Sequence, residues 1–229
     1  MPARQLALDF EHRAAFGLDD FLVVPGNADA IAWLDRWPDW PGQALAIHGP
    51  PGCGKTHLVH VWQAATGGRI VDATAITTSS IPDLAGGSKK PTLAVEGADQ
   101  GVDEVALFHL YNMTVEAGGT LLLTGCDAPS RWTIKLPDLA SRLSALPSVP
   151  VELPDDDLFG ALLVKLFADR QLRVGAEVVT YVASRIERSF DAARRLVAEL
   201  DAAALEGQRD ITVPLARQVL NAIENLDNE

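Results

Sequence analysis

One octet in this chain has residue types and spacing suited to chemistry. Gly49-Pro50-Pro51-Gly52-Cys53-Gly54-Lys55-Thr56 fills the G-x-x-x-x-G-K-[ST] phosphate-loop pattern at every defined position. Glycines let consecutive backbone N–H groups turn inward around phosphate oxygens, and a helix beginning at the loop adds its positive N-terminus. Lys55 reaches the β- and γ-phosphates in such a loop, and the Thr56 hydroxyl holds Mg²⁺. The next residue, His57, is taken with the loop as a nucleotide neighbour. A second chemical residue is Glu96, which ends the apolar run Thr92-Leu93-Ala94-Val95. That arrangement sets a carboxylate beside the magnesium. Gly97 follows it where a second acid would orient the attacking water, and Asp99 comes two residues later.

A bare pattern can arise by chance, so the elements that position these residues decide. Ala44-Leu45-Ala46-Ile47-His48 reads as a short buried strand leading into the loop, and residues 56–65 after it have helical character. Further strands are expected at Arg69–Ala73, Thr92–Glu96, Thr120–Gly125 and Val149–Leu153. A helix at Val102–Glu116 faces the core through Val105, Leu107, Phe108, Leu110, Tyr111 and Val115. Cys126 and Asp127 follow the fourth strand at the sheet edge where ligands lie in open α/β folds. Asn27 is placed to cap a helix through Ala30–Leu34, and Trp33, Trp37 and Trp40 read as core or rim aromatics. Ser79–Pro91 reads as a surface connection. Strands alternating with helices predict a parallel, doubly wound α/β sheet. From Asp155 onward the pattern is helical only, at about 155–171, 175–187, 189–206 and 213–226. The expected organisation is a tail at 1–12, an α/β base at 13–153 and a helical lid at 154–229.

With 229 residues, 48% of them hydrophobic, the chain can bury a full core. Its net charge of -12 argues against a large phosphate-neutralising surface and so against direct sequence-specific DNA binding. Two cysteines imply neither a disulfide framework nor a zinc cluster. No signal pattern and no membrane-spanning apolar run are read, which fits a cytoplasmic protein. His12, His48, His57, His60 and His109 show no metal spacing, and His57 and His60, at i and i+3, also suit surface or packing roles. In the tail, Gln5, Leu6, Leu8 and Phe10 suit either a peptide docking in a groove or a strap on the protein's own core.

These motifs together resemble the AAA+ ATPases, an α/β base with a helical lid, and within them the DnaA branch. More narrowly, the chain resembles DnaA-homologous regulators of replication. Gln5-Leu6-Ala7-Leu8-Asp9-Phe10 is similar to the hexapeptide by which replication proteins bind the sliding clamp. Leu136-Pro137-Asp138-Leu139-Ala140-Ser141-Arg142-Leu143 resembles the family's arginine-finger box, and the sequence as read has no helix-turn-helix segment after the lid. The resemblance implies a five-stranded AAA+ sheet and ADP or ATP with Mg²⁺. It also implies a regulator that, held on the DNA-loaded clamp, stimulates hydrolysis of ATP bound to DnaA and so represses re-initiation. Arg142 would act as the finger in trans, with Glu96 at the metal. Adenine would lie against the segment Phe21–Asn27, Val24 included. Association through the clamp would bring the protein to the nucleoid, and a homo-oligomer is left open.

The chain departs from the family at three places. Glu96-Gly97 replaces an acid pair, Cys126 stands where a first sensor aspartate is expected, and Asp191 occupies the expected place of the lid's sensor arginine. Arg194 or Arg195 would substitute for that arginine one turn on. Each departure removes a group that a self-contained ATPase needs, so weak or absent intrinsic hydrolysis is expected. The competing reading is an active AAA+ ATPase, or an initiator paralogue that recruits other replication proteins.

Overall fold

The computed structural model describes residues 23, 25–86 and 88–226. Five short apolar runs form one parallel sheet: β1 (Ala44–His48), β2 (Arg69–Asp72), β3 (Thr92–Glu96), β4 (Thr120–Gly125) and β5 (Ser148–Pro150), in the order β2-β3-β4-β1-β5. Strands β1 and β4 are buried almost throughout, because helices cover both faces of the sheet. Alternate side chains serve the two layers. Ala44, Ala46, Leu121 and Leu123 face one core, while Leu45, Ile47 and Leu122 face the other.

Helices α1 (Pro25–Leu34) and α2 (Lys55–Thr66) supply the second of these cores, where Trp40 and Trp62 stack with ring centroids 6.0 Å apart. Helices α3 (Ile81–Gly86), α4 (Glu104–Glu116) and α5 (Pro137–Ser144) supply the first. Beyond β5 the chain forms α6 (Asp156–Asp169), α7 (Ala176–Ala183), α8 (Phe190–Gly207) and α9 (Val213–Leu226). These four close around a separate core that includes Phe159, Leu163, Phe167, Val182, Leu196 and Leu200. The element types and order agree with a doubly wound base followed by a helical unit.

Four local expectations are corrected. Helix α1 begins at Pro25, whose fixed φ suits the first helical position, so Asn27 lies inside the first turn and is buried rather than capping it. The Ser79–Pro91 segment contains α3, whose Ile81, Leu84 and Ala85 are buried beneath β3 and α4; a six-residue helix is too short for periodicity to reveal. Val105 points to solvent, because Asp103 caps α4 through the N–H groups of Val105 and Ala106, at 3.0 Å each, and this sets the helix phase. Strand β5 is only Ser148–Pro150, and the chain beyond it continues as a single bond from Val151 N–H to His48 O, 2.7 Å. No described helix is long and apolar enough to cross a membrane.

Candidate nucleotide site and arginine helix

Strand β1 delivers the phosphate loop at the carboxyl edge of the sheet. Gly49 N–H donates to Gly125 O (3.2 Å), tying the loop to β4, and a Cβ on Gly49 would strike the Val151 carbonyl. Gly52 and Gly54 take φ of +73° and +101°, conformations that turn the backbone N–H groups inward and that L side chains rarely adopt. Among the described residues, no backbone carbonyl accepts from the N–H groups of Gly52, Gly54 or Thr56. Those donors at the start of α2 are the ones a phosphate would take. Lys55 folds across the loop, its Nζ donating to Gly49 O (2.6 Å) and Pro50 O (2.9 Å) and lying 3.7 Å from Cys53 Sγ. Burial pushes the Cys53 thiol up, against the pull of the Lys55 charge, so it stays protonated. Burial likewise holds His48 below the usual histidine value, with Asp127 working against that shift and Arg131 and Lys55 adding to it.

The lid covers this loop directly. Phe190 N–H donates to Gly52 O (3.0 Å), and Ser189 sits so close that a Cβ on Gly52 would collide with it. Ser189 is itself buried and caps α8 by accepting from Ala192 N–H (3.1 Å). One turn on, the Arg194 guanidinium meets both His57 ring nitrogens at 3.1 and 2.9 Å. Between α1, α2, α6 and α8 there remains a cavity of about 20 Å³, bounded by Asn27, His57, Leu162, Phe190 and Arg194 among others. It holds one water molecule at most, not a base and sugar. The loop therefore fits phosphates, while the space between lid and loop helix is nearly filled among the described residues. Arg195, named with Arg194 from the sequence, turns instead into a separate cavity of about 410 Å³ shared by Pro51, Gly52, Arg185 and Leu220.

At the end of β3, Glu96 is half-buried, one residue beyond the Val95↔Leu123 pairing. Strand β4 separates it from β1, placing it about 10 Å across the sheet from the start of the loop. Thr56 is exposed on the first turn of α2. The described residues hold no cluster of three or more His, Cys, Asp or Glu side chains that could hold a metal ion. Asp99 serves the loop after β4 instead. Its Oδ2 accepts from Cys126 N–H (2.7 Å), clasping that loop, and its Oδ1 is buried without a hydrogen-bond partner among the described residues. Gly97 N–H donates to the Thr124 hydroxyl (3.2 Å), so the second acid position is occupied by a backbone tie.

Arg142 lies on the other layer of the base. Glu104 of α4 accepts from Lys135 N–H (2.9 Å) and Leu136 N–H (2.7 Å), which fixes the entry to α5. Leu139 and Leu143 anchor α5 in the core, leaving Arg142 exposed with its guanidinium 5.3 Å from the Phe108 ring and 5.6 Å from Tyr111. Burial raises the Tyr111 hydroxyl and the Arg142 charge draws it back. The sheet thus separates Arg142 from this chain's own loop helix.

Sequence reasoning gave no site role to Phe190, Ser189 or Leu162, and it did not foresee that Asp99 binds the Cys126 amide. The first three meet the base only when the lid folds over it, although the Ser189 cap before an apolar run was a readable helix start. Val24 and the tail residues Gln5, Leu6, Leu8 and Phe10 lie outside the described residues.

A parallel sheet in this strand order, with a phosphate loop after β1 and a helical lid over that loop, is the AAA+ fold. Residues 156–220 match the family model described as the lid domain of Hda. The chain is similar to domain III of the replication initiation protein DnaA from Thermotoga maritima, with 19% identity, a TM-score of 0.74 and coverage of 92% of this chain and 97% of that one. It is similar also to AMPPCP-bound DnaA from Aquifex aeolicus (18% identity, TM-score 0.66, 82% of this chain and 65% of that one). A RuvB mutant of Thermotoga maritima shares the fold at 13% identity, with a TM-score of 0.65 and coverage of 87% and 68%. The lid thus matches Hda by sequence, and the chain shares the fold of DnaA domain III.

Proposed function

We propose that this protein is a nucleotide-binding regulator of replication that acts on DnaA by lending it an arginine. The observation that carries this reading is the placement of Arg142, exposed on α5 and separated by the sheet from its own phosphate loop. A guanidinium so placed cannot serve its own nucleotide but is free to enter a neighbour's site. In the transition state of phosphoryl transfer, charge spreads over the equatorial oxygens, and an arginine supplied in trans is worth about 10³–10⁵ in rate.

In this reading the phosphate loop binds ADP or ATP, and Thr56 and Glu96 are the residues that would hold its Mg²⁺. Lys55 moves from the loop carbonyls to the phosphates. With Gly97 where a second acid would orient water, the bound nucleotide is held rather than hydrolysed. The tail residues Gln5, Leu6, Leu8 and Phe10 dock on the sliding clamp, which brings the protein to DNA without a basic surface of its own. Stimulated hydrolysis on DnaA then represses re-initiation.

The test measures phosphate release from ATP-loaded DnaA with clamp on DNA, with and without this protein, beside its Arg142→Ala variant and a control lacking DnaA. Release that needs DnaA and collapses with the variant supports the reading. Hydrolysis by this protein alone, indifferent to DnaA, would make it an ATPase in its own right and sink the proposal. Deletion of residues 5–10 tests the clamp contact separately, since it should abolish retention on clamp-loaded DNA while sparing nucleotide binding.

A further inference from the structure

The lid contacts described above lie where an incoming nucleotide must pass. We infer that Arg194 and His57 form a latch that holds the lid shut over the phosphate loop, and that an adenine nucleotide enters only when this latch opens. The inference rests on the reading that the loop binds nucleotide. Three contacts belong to the closed state: Phe190 N–H on Gly52 O, Ser189 against Gly52, and Arg194 across His57. The first two fasten the backbone of α8 to the loop. The third spans the cleft from α8 to α2, and the about 20 Å³ that remains beside it among the described residues has no room for a base and sugar.

A lid arginine in this region would ordinarily be read as a phosphate ligand. Here its donors are already directed at an imidazole of the base, so in the closed state Arg194 opposes binding. No backbone carbonyl among the described residues takes the phosphate donors meanwhile, so the loop is formed and only access is withheld. A nucleotide therefore selects the open lid, and its apparent affinity is reduced by the fraction of time the lid spends closed. Nucleotide and latch compete for one space, which makes lid position a readout of nucleotide state.

The experiment is stopped-flow binding of fluorescent methylanthraniloyl-ADP to the full chain, its Arg194→Ala and His57→Ala variants, and the double variant. Hydrogen exchange of residues 186–194 without nucleotide is followed in parallel. The wild-type rate should level off as nucleotide concentration rises, because opening limits it. Each single variant should raise that plateau about tenfold, the loss of one charge-assisted hydrogen bond, and the double variant should add nothing further. Exchange at the Phe190 amide should quicken in both single variants. A wild-type rate linear in concentration, with Arg194→Ala weakening affinity, overturns the latch and makes Arg194 a nucleotide ligand while leaving the nucleotide reading intact. Failure of every variant to bind, with all folded by circular dichroism, removes the nucleotide reading and the latch with it. Unchanged exchange in both single variants overturns the latch even if nucleotide binds.

Discussion

Two cations define two regions of this protein with opposite character. Lys55 is folded inward, its ammonium donating to two carbonyls of its own loop, under a lid that touches the same loop. Arg142 is turned outward, resting on the faces of Phe108 and Tyr111 with its donors toward solvent. The first region is satisfied by its own chain and must be rearranged before it can act. The second needs no rearrangement beyond leaving an aromatic surface, a contact worth about 0.5–1 kcal/mol at an exposed site. This difference is what the proposed function requires, a nucleotide held in place and an arginine offered to another subunit.

The comparison breaks most visibly at Arg142. Arg142→Ala is expected to lower stimulated hydrolysis on DnaA by about 10³ or more, measured as phosphate release, while moving the melting temperature by only about 2–4 °C. Arg142→Lys should restore little, since an ammonium lacks the planar fork of the guanidinium. The converse holds at Lys55. Lys55→Ala should weaken ADP binding about a hundredfold by calorimetry, because a charge-assisted phosphate contact is lost, and leave the circular dichroism spectrum unchanged. If Lys55→Ala abolished folding instead, the loop would be a structural turn.

The end of β3 sharpens the same contrast. Asp99→Ala removes the acceptor for the half-buried Cys126 N–H and should cost about 1–3 kcal/mol in denaturant unfolding. Asp99→Asn keeps an acceptor there and should cost less than half of that. Equal losses would point to the charge of Asp99 rather than its hydrogen bond. His48 gives the smallest effect. Its folded pKa is depressed, so its contribution is fully present above about pH 6.5 and is lost as pH falls toward the folded value. The wild-type melting temperature should therefore drop more between pH 7.5 and 5.5 than that of His48→Asn, by about 1–2 °C.

Much of the base was readable because its signals are local. The strands at Ala44–His48, Thr92–Glu96 and Thr120–Gly125 coincide with their apolar runs, and the positive φ of Gly54 falls at a pattern position that requires glycine. The misreadings fell where a local signal was weak or ambiguous. Asn27 has the chemistry of a cap but lies inside the first turn of a helix that Pro25 starts. Helix α3 is too short to show a period, and its apolar residues gain meaning only from the β3–α4 surface they cover.

The sequence by itself determined that this chain has a phosphate loop, a parallel α/β base, a helical lid and an arginine in a finger-like box, because each is written in adjacent residues of a particular type. Tertiary structure decided the rest. It directed Arg194 to His57 and Arg195 away from the cleft, although the two are neighbours in sequence, because successive helical residues project about 100° apart and α8 meets α2 along one face only. It made Asp99 a clasp rather than a base by bringing the Cys126 amide within 2.7 Å. It also closed the lid over the loop, a contact between residues more than a hundred positions apart that no local pattern encodes.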